Sequence, residues 1–178
     1  MINYLATQKN WQNAFSDTIT SFAELAQALD LPIDSFDSQV GQFPLKVPRR
    51  FVQKMGKGDI HDPLLKQVLP TFQETVQVTG FVTDPLDEQH ANPVKGIIHK
   101  YASRVLIPVT GACVVNCRYC FRQHFDYHEN LPTQNDWQAI SAYITAHPAI
   151  NEVILSGGDP LSLSNRRLLE IFTTLEAL

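Results

Sequence analysis

Two stretches decide the fold: Arg104-Val105-Leu106-Ile107-Pro108-Val109, which runs at once into Cys113-Val114-Val115-Asn116-Cys117-Arg118-Tyr119-Cys120, and Glu152-Val153-Ile154-Leu155, which runs into Ser156-Gly157-Gly158-Asp159-Pro160. Each is a short apolar run closed by a turn, the pattern of a buried strand, with Pro108 marking the strand's end or an irregular edge. Between them Thr133 reads as an N-cap with Asp136 three residues on, and Trp137, Ile140 and Ile144 share one helical face that Pro148 closes. After the second turn a last helix carries Leu168, Leu169, Phe172 and Leu175. Strand, loop, helix, strand, loop, helix is the opening of a parallel α/β sheet or barrel. A parallel sheet needs more than two strands and cover on both faces. The expectation is therefore a partial barrel, truncated within a longer polypeptide.

Upstream, the chain reads as helical and irregular. Trp11, Phe15, Ile19, Phe22, Leu25 and Leu29 recur at helical spacing, with a break near Thr20 and Ser21 and a stop at Pro32. A second helix is predicted from Pro48 through Phe51, Val52 and Met55 to Gly56. A third opens after Asp62-Pro63, carries Leu64, Leu65, Val68 and Leu69, and ends at Pro70. The expected division is a mainly helical region over residues 1–93 and the start of the barrel over 94–178, continuing past the chain end.

Among 178 residues, 14 are Lys or Arg and 18 are Asp or Glu, giving a net charge of −4. That balance argues against a broad nucleic-acid footprint and against a polybasic membrane anchor. No apolar run approaches the roughly 18 residues of a membrane-spanning helix. The opening residues, MINYLATQKNWQNAF, carry no apolar signal core after a basic start, so the cytoplasm is the expected compartment.

The three cysteines all fall in one C-x₃-C-x₂-C loop. A clustered odd set is a poor disulfide framework, and three soft thiolates suit an iron–sulfur cluster or zinc. Structural zinc wants a fourth ligand, for which His124 or His128 would serve. A [4Fe–4S] cluster on Cys113, Cys117 and Cys120 keeps one iron open, a place to bind and activate something. The paired glycines of the second turn permit close backbone approach, at the strand end where α/β folds place ligands. His99-Lys100-Tyr101 and Arg104 precede the first strand, and Arg118 and Arg122 flank Cys120. Together they form a local concentration of cations suited to a phosphate and a carboxylate.

Residues 104–125 resemble the radical S-adenosylmethionine superfamily. The resemblance implies that the open iron binds S-adenosylmethionine, whose cleavage yields a 5′-deoxyadenosyl radical that removes a substrate hydrogen atom. It also implies that Tyr119 lies beside the adenine and that Gly157, Gly158 and Asp159 hold the cofactor's amino-acid part. His-Lys-Tyr with Arg-Val-Leu, then Cys-Arg-Tyr-Cys-Phe-Arg-Gln-His-Phe, then Ile-Leu-Ser-Gly-Gly-Asp-Pro-Leu, narrow the resemblance to the lysine 2,3-aminomutase family. That family adds pyridoxal 5′-phosphate and converts L-lysine to β-lysine. By motif position, Arg122 matches the arginine on the substrate carboxylate. Lys100 and Arg104 match the basic residues near the pyridoxal phosphate, with Tyr101 the aromatic beside it. Lys100 stands where clostridial-type enzymes have arginine, and Gln123 replaces a basic residue.

Val47-Pro48-Arg49-Arg50-Phe51, Met55-Gly56-Lys57-Gly58, Asp62–Leu69 and Thr83–Gln89 are similar to the bacterial branch that supplies (R)-β-lysine for elongation factor P. The partners so implied are L-lysine, an electron donor such as flavodoxin or ferredoxin, and elongation factor P with its lysyl ligase, with neither nucleic acid nor membrane. The family's pyridoxal-anchoring lysine and the acidic residues on the substrate ε-amino group lie beyond Leu178, so the chain by itself is expected to be inactive. The competing readings are an aminomutase of free-lysine metabolism, a radical enzyme without pyridoxal phosphate, and a non-enzymatic zinc-binding module.

Overall fold

The computed structural model describes residues 15–36 and 43–178. These form two compact units: the described residues up to Phe81 with Val114–Gln123, and Val82–Cys113 with His124–Leu178.

The first unit is built from short pieces. Strand β1 (Thr18–Ile19) pairs antiparallel with β2 (Val47–Pro48) on either side of helix α1 (Phe22–Leu29) in the chain. The expected break near Thr20 and Ser21 is there, and it takes Ile19 out of the helical pattern; Trp11 lies outside the described residues. Helix α1 buries Leu25, Ala26 and Leu29 and closes on Asp30 in the left-handed region, φ 54°. The helix expected from Pro48 is a single turn, α2 (Arg49–Val52), continued by a turn through Met55. The helix expected after Asp62 is one 3₁₀ turn, Leu65–Gln67. Pro63 and Pro70 bracket it too closely for regular α-helix. Asp62 nevertheless caps it, taking the N–H groups of Leu64 at 2.8 Å and Leu65 at 3.0 Å, and that of Gly56 at 2.8 Å. Ile19, Leu25, Leu29, Val47, Val52, Leu65 and Val68 make the buried centre, with Val115 packed against it.

The second unit holds an open three-stranded sheet. Strand β3 (Ile98–Tyr101) runs antiparallel to β4 (Arg104–Thr110). After the short α3 (Tyr127–Asn130) and α4 (Asp136–Ala146), β5 (Glu152–Gly157) returns parallel to β4, in register from Arg104↔Glu152 to Thr110↔Gly157. The register shifts between Pro108 and Thr110, where proline has no N–H for the ladder. Helix α5 (Asn165–Glu176) follows, its N-cap Ser164 accepting from Arg167 N. Alternate residues Val105, Ile107, Val153 and Leu155 point to one face, where they pack with Trp137, Ile140, Ile144 and Ile171.

The parallel α/β opening is as expected, and no barrel closes among the described residues. Two details differ. Strand β3 was not anticipated, because only its first residue extends the apolar run of Ile97. On α5 the inward face is Leu168, Ile171 and Leu175, whereas Leu169 and Phe172 are 65% and 47% exposed. The run Leu168–Phe172 offers two overlapping helical stripes, and the sheet takes the one centred on Ile171. No helix among the described residues is long and apolar enough to cross a membrane.

Candidate functional site

The chain leaves β4 at Thr110 and reaches Cys113 through Gly111 and Ala112. This approach is held by the turn at the end of β5. Gly158 N donates to the Thr110 carbonyl at 2.6 Å, and Asp159 N to the Ala112 carbonyl at 2.8 Å. Ser162 Oγ also donates to the Ala112 carbonyl at 3.4 Å. Gly157 sits at φ +115°, and a Cβ on it would strike the Thr110 carbonyl oxygen; one on Gly158 would strike that of Ala112. The two glycines are thus demanded first by the chain's own backbone. Asp159 turns its carboxylate inward to cap the 3₁₀ turn Pro160–Ser162, accepting from Leu161 N at 3.0 Å. Any ligand at this turn meets its remaining carbonyls and surface, because the N–H groups of Gly158 and Asp159 already have acceptors.

The rest of the cysteine loop, Val114–Gln123, belongs to the first unit. Asn116 donates its backbone N–H to the Lys46 carbonyl at 2.9 Å and its side-chain amide to the Pro44 carbonyl at 3.0 Å. Two turns shape the remainder, Cys120 N to the Cys117 carbonyl at 3.0 Å and Gln123 N to the Cys120 carbonyl at 3.2 Å. Tyr119 is 73% exposed. Its hydrogen bond with the Cys117 thiol, followed by that group's charge, raises the phenol above its ordinary pKa. Arg122 is buried, its guanidinium carbon 4.7 Å from the centre of the Phe121 ring.

Arg118 is not a pocket cation. Its Nε donates to Glu74 Oε1 at 2.8 Å and its Nη2 to Glu74 Oε2, while Nη1 reaches the Phe43 carbonyl at 3.0 Å. Its charge is therefore committed within the protein, which corrects the expectation that it serves an anionic ligand. Sequence reasoning missed Glu74 as its partner, although Thr71-x-x-Glu74 carries a capping-box signature, and that box forms.

Cys113, Cys117 and Cys120 form no disulfide and are all partly buried. Among the described residues no three Cys, His, Asp or Glu side chains converge on one point. His128 stands on α3 with its ring 3.1 Å from Glu129. The donor set itself fits an iron–sulfur cluster: three thiols on one short loop, reachable from solvent, with no carboxylate interleaved.

Lys100, Tyr101 and Arg104 come together at the β3–β4 turn, the opposite end of β4 from Cys113. Six residues of extended strand separate Arg104 from Thr110, about 20 Å. Lys100 Nζ donates to the Leu86 carbonyl and lies in the field of Asp84. Arg104 Nε pairs with Glu152 at 3.0 Å, and its guanidinium carbon is 6.0 Å from the Tyr101 ring centre. Both cations thus have a carboxylate close by.

Residues 102–177 match the family described as "4Fe-4S single cluster domain". The chain is 44% identical over 172 residues to the L-lysine 2,3-aminomutase of Haemophilus influenzae, covering 95% of this chain and 51% of that protein. Identity to the enzyme of the same name from Escherichia coli is 43% over 176 residues, 97% of this chain and 51% of that one. For Buchnera aphidicola the figures are 37% over 172 residues, 94% and 51%. The chain spans about half the length of these curated relatives. Over nearly its whole length it is similar to these L-lysine 2,3-aminomutases, across 51% of each, with the cysteine loop inside the matched 4Fe-4S segment.

Proposed function

We propose that the full-length protein containing this chain is a radical S-adenosylmethionine enzyme, an isomerase that converts L-lysine to β-lysine. The observation that carries the reading is the three-thiol loop at the end of β4, inside a match to L-lysine 2,3-aminomutases that runs along almost the whole chain. Cys113, Cys117 and Cys120 would hold a [4Fe–4S] cluster, which when bound would supply the electron for cleavage of S-adenosylmethionine. The Gly157–Asp159 turn supports the methionine part and Tyr119 the adenine. Arg122, buried two residues past Cys120, orients the substrate through its carboxylate. An electron donor of the flavodoxin or ferredoxin type is required, and a reducing cytoplasmic setting suits the thiols.

Two finer statements rest on the family resemblance. Pyridoxal 5′-phosphate is the second cofactor, near Lys100, Tyr101 and Arg104, and no step is assigned through it. The product serves elongation factor P and its ligase. The relatives' names stop at L-lysine 2,3-aminomutase, a description that free-lysine metabolism satisfies equally. A strain lacking elongation factor P separates the two: β-lysine that still accumulates and is used there assigns the enzyme to free lysine.

The test of the reading is β-lysine formation by the full-length protein after anaerobic loading with iron and sulfide. Arg122→Lys keeps the charge but loses the fork. Its kcat/KM is expected to fall about 30-fold to several thousand-fold, the cost of a broken desolvated pair. Wild-type kcat/KM at matched iron content would overturn the carboxylate role. One zinc and no iron would favour the binding-module reading.

A further inference from the structure

We propose that Glu74 and Arg118 are positioning residues that latch the stretch between Cys117 and Cys120 onto the first unit, an inference whose bearing on the cofactor rests on the cluster reading above. Arg118 lies between Cys117 and Cys120, where a ligand-binding cation would be expected to face solvent. Instead its side chain is 8% exposed and that of Glu74 20%. Four contacts hold it: the two-bonded fork on Glu74, the Phe43 carbonyl, the Phe43 ring 5.0 Å from its guanidinium carbon, and the bond from its own N–H to the Gln67 carbonyl at 2.8 Å. Glu74 is itself fixed, because its carboxylate takes the Thr71 N–H at 3.4 Å in the capping box. The fork is therefore rigid on both sides, and it joins the two-residue span between two candidate ligands to the first unit.

Charge makes this more than a tether. As a pair, Glu74 and Arg118 carry no net charge. Neutralising Glu74 leaves a lone cation on Arg118, one residue from Cys117 and two from Cys120 in the chain, and neutralising Arg118 leaves the Glu74 carboxylate without its fork. A lone cation favours the reduced, more negative cluster and a lone carboxylate disfavours it. The two single variants should therefore move the cluster's reduction potential in opposite directions.

The experiment uses the full-length protein in two states. Without cluster, iodoacetamide labelling is followed at each cysteine by mass spectrometry. Cys113, which belongs to the second unit, is the internal reference. In Glu74→Gln, Cys117 and Cys120 are expected to label about tenfold faster relative to Cys113, the change that ~1.4 kcal/mol of lost local stability produces. Arg118→Lys, with charge but no fork, should do the same. With cluster, the potential is expected to rise in Glu74→Gln, fall in Arg118→Gln, and return towards wild type in the double variant. Unchanged relative labelling in both Glu74→Gln and Arg118→Lys would overturn the latch, as would potentials that move in the same direction. Wild-type protein that takes up no iron would refute the cluster reading, while the labelling arm still decides whether Glu74 holds the loop.

Discussion

The two segments flanking Cys113 are anchored by different mixtures of backbone and side-chain contacts. On the strand side, Thr110–Ala112 is gripped by backbone groups of Gly158 and Asp159, and the grip works only because residues 157 and 158 have no Cβ. On the loop side, Val114–Gln123 adds the side chains of Asn116, Arg118 and Val115 to two backbone bonds, from Asn116 to Lys46 and from Arg118 to Gln67. A backbone grip tolerates almost any outward side chain and fails abruptly at one or two positions. A side-chain anchorage can be weakened by degrees. The lesson is that mutations on the strand side report on folding, whereas mutations on the loop side can report on the cofactor.

The largest expected effect breaks the strand side. Gly157→Val must leave φ +115° and meets the Thr110 carbonyl, so it should cost more than about 4 kcal/mol and leave little folded protein. Urea unfolding of the full-length variant checks this; near-normal stability would show that the turn relaxes. The consequence for function is practical. A side chain at Gly157 cannot test S-adenosylmethionine binding without disturbing the sheet.

An intermediate effect sharpens the loop side, because it acts on the unit to which the loop is bound. Backbone N–H bonds, first from Gly56 and then from Leu65, hold the Asp62 carboxyl below its ordinary pKa. Its stabilisation is therefore complete above the unfolded value of about 4 and is lost as pH falls through the lower folded value. Thermal unfolding of Asp62→Asn between pH 6 and pH 3, values spanning about the carboxylate range, should show a lower Tm at the upper end and a shallower acid decline than wild type. Parallel curves would remove Asp62 from the acid limb.

The smallest effect is expected at the far end of the sheet. Arg104 and Glu152 pair across β4 and β5 with both side chains about half exposed. Arg104→Gln should cost only about 0.2–1 kcal/mol of stability. A larger loss in urea unfolding would mean that the pair organises the strand ends.

Legibility followed the same division. The β4–α4–β5–α5 order was readable because apolar runs and a 3.6-residue period coincide there, and Trp137, Ile140 and Ile144 are buried together as expected. The cysteine loop was readable from spacing alone. Beyond α1, the first unit was not, because its other pieces are single turns set by Pro48, Pro63 and Pro70 and by the Asp62 and Glu74 carboxylates, too short for periodicity to register. Arg118 was misread for a related reason. Its partner lies 44 residues away, and local charge density cannot distinguish a ligand-binding arginine from one neutralised across the fold. Lys100 and Arg104 looked close to the cysteines along the chain, but an extended strand carries them to the other end of the sheet.

The measurement that bears most directly on the functional reading is metal and sulfide analysis of the anaerobically reconstituted full-length protein, with a lysine assay on the same sample. About four iron and four acid-labile sulfide per chain, together with β-lysine formed only when S-adenosylmethionine and a reductant are supplied, is the expected result. One zinc per chain with no sulfide, or a full cluster that never yields β-lysine from lysine, would contradict it.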